Sequence, residues 1–272
     1  MTESTPALTR ALRGEYTRLI GGRLPWWAII VAAVFGGGLT GLISLVGPEN
    51  ATPPLPGLET AEGVRTVLGL LGVTLFAPAL IGTIAISSEY RHHTIGSTFL
   101  AIPRRGAVLA AKLIIFALLG LAYGIVLAGA AIGGILIGAA IHGVTPGLSA
   151  ATMITIALRY AVAAAIYMVL GVGIGALARN HLLAIAITLG YFYLVENVIM
   201  IIPGVKAIYP LLPGGATAAL TDSTFLSETM AAQIGTAAPL ILPAAAGALI
   251  LLGYAGAAAF AATAVSLRRD LT

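Results

Sequence analysis

Charge is what this chain has least of: only 9% of its 272 residues are Asp, Glu, Lys or Arg, against about 25% in an ordinary soluble domain. So few charges cannot cover a surface that meets water on all sides. With 59% apolar residues and a mean hydropathy of +1.02, the sequence reads as an integral membrane protein. Cysteine is absent, which excludes disulfides and cysteine-ligated metal. No G-x-x-x-x-G-K-[ST] phosphate loop occurs, so any ATP that drives this protein must be hydrolysed on another chain. Neither H-E-x-x-H nor G-x-S-x-G is present, which leaves an intramembrane hydrolase without machinery. The net charge is +4, but the basic residues flank apolar runs instead of clustering on a folded face, a pattern of membrane orientation and not of nucleic-acid binding.

What is present is apolar length. A bilayer core of about 30 Å takes about 20 residues of helix, and six runs qualify: 26–46, 66–87, 113–141, 152–177, 182–202 and 237–265. The first opens on Trp26 and Trp27, residues that favour the headgroup boundary. Pro78 predicts a kink in the second run, and Pro239 and Pro243 interrupt the start of the sixth. Ahead of them, Leu8, Leu12, Tyr16 and Leu19 share one helical stripe, with Arg10, Arg13 and Arg18 largely elsewhere, as in an amphipathic helix lying at the interface. This N-terminus is too long and too mixed in charge for a cleaved signal peptide and is expected to be retained. Residues 47–65, rich in Pro, Gly and acid, read as an exposed loop, and 203–233 is broken enough by Pro210, Pro213 and a Gly-Gly pair to permit only short helices. The expected fold is therefore one all-α domain over 1–272: an interfacial helix in 1–25, a six-span bundle over 26–266 and a tail at 267–272.

Six spans put both termini on one side. Eleven of the 14 basic residues fall on that side: Arg10, Arg13, Arg18, Arg23, Arg91, Arg104, Arg105, Lys112, Arg179, Arg268 and Arg269. Arg65 and Lys206 fall on the other, and Arg159 within a span. The positive-inside rule makes the first side cytoplasmic.

The charge that exists is concentrated in 87–112, SSEYRHHTIGSTFLAIPRRGAVLAAK, between the second and third runs. Ile95, Phe99 and Ile102 at i, i+4, i+7 predict a helix over 90–102, which Pro103 ends. Its exposed face would carry Glu89, His92, His93 and Ser97. A metal site from Glu89, His92 and His93 lacks a further ligand, and adjacent histidines on a helix point about 100° apart. The glutamate, histidine pair, threonine-containing turn and Pro-Arg-Arg step resemble the segment between the second and third spans of type-2 ABC transporter permeases. The six-span layout, the N-terminal helix and the long segment before the last span are similar too.

That resemblance implies a cytoplasmic coupling helix within 88–105, seated on a separate ATPase through Glu89, Tyr90, Arg91, His92, His93, Thr94, Arg104 and Arg105. It implies two ATPase subunits that carry ATP and Mg, with no cofactor on this chain. It further implies a second permease, either another copy or a related chain, a substrate path along the permease interface, export as the direction and the bacterial inner membrane as the location. The competing reading is a secondary transporter or channel not driven by ATP, for which an internal repeat would speak, and none is convincing.

Two charges lie inside the apolar runs. Arg159 and Glu196 each stand seven positions from the proposed outer end of a span, about 10 Å deep at ~1.5 Å per residue. A shared depth suggests an ion pair between spans four and five, with separate snorkelling as the alternative. Tyr191, Phe192 and Tyr193 are candidates for lining a substrate path. Gly-x-x-x-Gly recurs at Gly37/Gly41, Gly120/Gly124, Gly134/Gly138 and Gly171/Gly175, a spacing that lets helices approach closely, although 34 glycines produce such matches by chance.

Overall fold

The computed structural model describes residues 7–52, 54–91, 105–178, 180–202, 205–224, 227–228, 231, 235, 238 and 240–268. Among these residues every regular element is helical. The helix α1 (Ala7–Gly21) ends where Gly21 and Gly22 interrupt it, and Pro25 stands in the first turn of the next helix, where its missing N–H costs nothing. That next crossing comprises α2 (Leu24–Ala33), a π-turn over Val34–Leu39 and α3 (Thr40–Val46), and it closes at Gly47, whose φ of 89° a side chain would resist.

The following stretch departs from the expected loop. Thr60 caps α4 (Ala61–Gly69) by accepting the Gly63 N–H at 2.9 Å, so helix begins within the polar 47–65 segment. Breaks at Leu70 and Leu75 separate α4 from α5 (Leu71–Thr74) and from α6 (Phe76–Arg91). Pro78 therefore sits in the first turn of α6 and does not kink a helix interior; the interruption falls just before it. Further α-helices are α7 (Arg105–His142), α8 (Ala150–Ala178), α9 (His181–Leu189), α10 (Glu196–Ile201), α11 (Pro213–Thr221) and α12 (Ala244–Arg268), with a 3-10 helix over Lys206–Leu211 before α11. A π-turn at Gly190–Val195 joins α9 to α10 without leaving the helix. In the sixth apolar run the helix α12 begins directly after Pro243, a residue that suits a helix start better than its interior.

Five helices are long and apolar enough to cross a membrane: Leu24–Val46, Ala61–Glu89, Gly106–His142, Ala150–Ala178 and Ala244–Ala262. The protein is thus a multi-pass membrane protein. Its longest helix, α7, has 38 residues and reaches about 57 Å at ~1.5 Å per residue, well beyond the hydrocarbon layer. It gives the bundle two ends, named here for Lys112 and His142.

Small residues set the packing. Side chains at Gly120 and Gly124 on α7 would run into the backbone of Ala165 and Ala161 on α8, and one at Gly171 on α8 would meet the Ala79 carbonyl on α6. Gly134 and Gly138 lie against Gly41 and Ser44 of α3. In lipid there is little hydrophobic drive between helices, so this close approach and the dispersion it allows hold the bundle. Thr83 adds a polar tie at the centre: its hydroxyl lies 3.0 Å from the Gly171 carbonyl and 2.9 Å from the Thr188 hydroxyl, joining α6, α8 and α9. The outward faces remain apolar, with Trp26, Trp27, Leu182, Leu240 and Phe260 among the exposed residues, as a lipid-facing surface requires.

Candidate functional site

The Lys112 end contains a buried ionic cluster. Lys112, on α7, is 3% exposed; its ammonium donates to Glu15 of α1 at 2.8 Å and to Glu89 of α6 at 2.6 Å. Arg18, one turn beyond Glu15, reaches the same Glu89 oxygen at 2.9 Å from a half-exposed position. Two carboxylates thus meet two cations, which is the condition for charges to be held out of water. Phe116, one turn along α7, places its ring 5.8 Å from the ammonium. A pocket opens here between α1, α6 and α7. Nearby, Ser87 and the His181 ring are 2.9 Å apart and tie α6 to the start of α9.

The cluster corrects two expectations. Glu89 does not belong to an exposed docking face: α6 continues through Arg91, so Glu89 occupies its last turns and is 6% exposed. The apolar stripe of α1 is also divided. Ala11 and Glu15 are the residues buried against the bundle, while Leu8 and Tyr16 remain exposed and face outward with Ile20. A buried ion pair at Glu15 outweighs the periodicity, because an uncompensated carboxylate costs more than two exposed apolar side chains at a lipid boundary.

Of the other residues expected to couple to an ATPase, Arg91 is exposed at the end of α6, Tyr90 stands beside it in the same helix, and Arg105 is the first residue of α7. His92, His93, Thr94 and Arg104, together with the helix expected over 90–102, lie outside the described residues beyond Arg91. Glu89 and Lys112 consequently bracket the candidate coupling segment, and their contact ties its two roots together and to α1.

The second polar concentration lies deeper. Glu196 is 6% exposed, and Oε1 accepts the Gly214 N–H at 3.2 Å. Gly214 is in the first turn of α11, whose dipole favours a carboxylate at that place. The expected pair with Arg159 does not form: no ion-pair contact joins them, and the carboxylate is held by backbone instead. Glu196 lines a cavity whose wall includes Phe76, Tyr167, Phe192, Tyr209 and Thr217. The rings of Tyr167 and Phe192 are 5.0 Å apart, and Tyr191 meets Phe192 edge-on at 5.2 Å. Of the three aromatics singled out in sequence, Phe192 therefore faces the cavity, Tyr191 buttresses it, and Tyr193 belongs to the same π-turn. Sequence reading missed Tyr167 and Tyr209, whose partners lie on other elements. Their one signal was a polar hydroxyl within otherwise apolar or proline-rich surroundings. Among the described residues no group of three or more His, Asp or Glu could hold a metal.

Comparison with known proteins gives one family: a model described as ABC-2 family transporter protein matches residues 23–195, from the turn before α2 to the π-turn before α10. No curated protein matches the chain.

Proposed function

The chain belongs to the ABC-2 transporter family and is a transmembrane transport permease, and from that premise we propose that it is the membrane subunit of an ATP-driven exporter, moved by separate ATPase subunits through the segment 88–105. The family implies an ATPase partner, and the charge asymmetry of the loops supports a cytoplasmic Lys112 end with both termini on that side. The run from His181 to Ile201, helical throughout, serves as a sixth crossing. A second permease, another copy or a related chain, completes the path.

The observation that carries the reading is the Glu15, Glu89 and Lys112 cluster. A partner's force on 88–105 reaches the bundle only if the roots of that segment are stiff. Lys112 joins the end of α6, the start of α7 and the side of α1 through two buried charge-assisted hydrogen bonds. Tilting the segment therefore turns three helices as one body, and α1, lying outside the helical core, lengthens the lever. This mechanism needs no chemistry on the permease. Its residues transmit displacement, and the binding and hydrolysis of ATP supply the free energy elsewhere.

Co-purification tests it. Tagged protein extracted in mild detergent should bring with it a stoichiometric subunit carrying the phosphate-binding loop. Replacing His92 and His93 by alanine should release that subunit while leaving the permease monodisperse. Extraction without such a subunit under several conditions, or accessibility of His92 and His93 to an impermeant label from outside the cell, would sink the proposal.

A further inference from the structure

We infer that the Glu196 cavity is a binding site for the positively charged head of an organic cation, a quaternary ammonium or protonated amine on an apolar body. This rests on the permease reading only in making such a cation a transported substrate; binding itself does not depend on ATP.

The carboxylate is the reason. Glu196 is 6% exposed at a depth where charge is costly, and its carboxylate accepts a hydrogen bond from a neutral backbone N–H, while Arg159, the cation of matching depth, is not within ion-pair distance. At the Lys112 end the same chain surrounds two buried carboxylates with two cations. The carboxylate lines a cavity. The wall beside it is aromatic, formed by Phe76, Tyr167, Phe192 and Tyr209. A carboxylate beside aromatic rings at an opening is a composition that suits alkylammonium groups, the rings supplying attraction where a hydrated metal ion would need oxygen ligands. The Thr217 hydroxyl, 3.1 Å from that of Tyr167, adds polar wall without charge. Two irregular elements frame the opening, the Gly190–Val195 π-turn that carries Phe192 and the break before Phe76 that separates α5 from α6. A π-turn in a helix often marks a ligand site, because it exposes backbone and re-aims side chains.

The test is direct binding to the full chain in lipid nanodiscs, without ATP or ATPase. The probes are benzyltrimethylammonium and its neutral isostere neopentylbenzene, followed by calorimetry. The cation should bind the unaltered protein and the isostere should bind at least about tenfold more weakly. Glu196→Gln keeps the acceptor for Gly214 and removes the charge, and should weaken cation binding about tenfold or more. Phe192→Leu keeps the charge and removes a ring, and should weaken it about threefold to tenfold; it carries the test if the first variant does not elute as a single species. Equal binding of cation and isostere, equal binding by the unaltered protein and the variants, or no cation binding by the unaltered protein overturns the inference. None of these results bears on whether an ATPase co-purifies, so the two readings fail separately.

Discussion

The chain buries carboxylates in two places and treats them oppositely. At the Lys112 end, Glu15 and Glu89 are packed with Lys112 and Arg18 into a neutral cluster that leaves α1, α6 and α7 few ways to move apart. At the cavity, Glu196 has backbone on one side and space on the other. Cations against the carboxylates tie helices together at one place, whereas at the other the carboxylate is held by backbone and faces a cavity. On the readings proposed above, the first would be the stiff connection where force enters and the second the place where a cationic cargo rests. Charge alone does not separate the two; what surrounds each charge does.

The sharpest way to break the contrast is at its most buried cation. Lys112→Met takes from Glu15 and Glu89 the buried ammonium that both accept from. Removing one partner from a buried pair costs about 3–5 kcal/mol. The purified variant should lose monodispersity at a clearly lower temperature than the parent, or fail to accumulate. Adding Glu15→Gln and Glu89→Gln to Lys112→Met should recover most of the loss, since a neutral cluster of similar volume has no charge to compensate. If Lys112→Met alone melts like the parent, the cluster is not a joint.

Glu196→Gln should behave in the opposite way. The amide still accepts the Gly214 N–H, and a neutral amide costs less to hold in a low-dielectric site than a carboxylate bonded to backbone, so the melting temperature should hold or rise by an amount equivalent to about 1 kcal/mol. Glu89→Gln, the same substitution in the compensated cluster, should cost about 2 kcal/mol or more. Measured side by side in one detergent, the pair separates the two environments with a single chemical change. Equal losses would place both carboxylates in the same class.

Much of the fold was legible because membrane helices announce themselves in composition. Five of the apolar runs correspond to helices of spanning length, their ends shifted by a few residues wherever a cap or proline decided the matter, as at Thr60 and Pro243. The stretch 61–65 was missed because Glu62, Gly63 and Arg65 look like loop, although Thr60 was a readable N-cap. The glycine spacing was a weak signal among 34 glycines, and Gly120, Gly124, Gly134, Gly138 and Gly171 do stand at close helix crossings. The sites were harder. Depth along a helix is countable, so Glu196 was placed in the apolar layer, but its azimuth is not, and equal depth suggested a partner in Arg159 that the packing does not supply. Glu15 and Lys112 are 97 residues apart. Nothing local links them, and the apolar period of α1 even drew attention to a different face.

The smallest expected effects lie at the opposite end, where exposure removes the contrast. Arg65 of α4 pairs with Asp222, which ends α11 in a left-handed conformation at φ 56°. Both side chains are substantially exposed, 41% and 57%, so the pair contributes about 0–1 kcal/mol and fades with salt. Arg65→Ala should lower the melting temperature slightly at low ionic strength and not at all at 1 M salt, where the Debye length is about 3 Å. Asp222→Gly loses the same pair but gains a residue at home in the left-handed region, an exchange that offsets within about 0.5–1 kcal/mol. It should therefore match or exceed Arg65→Ala in stability at every salt concentration. If Asp222→Gly is instead the worse of the two in high salt, the Asp222 side chain contributes something besides its charge, and this exposed contact belongs with the Lys112 joint after all.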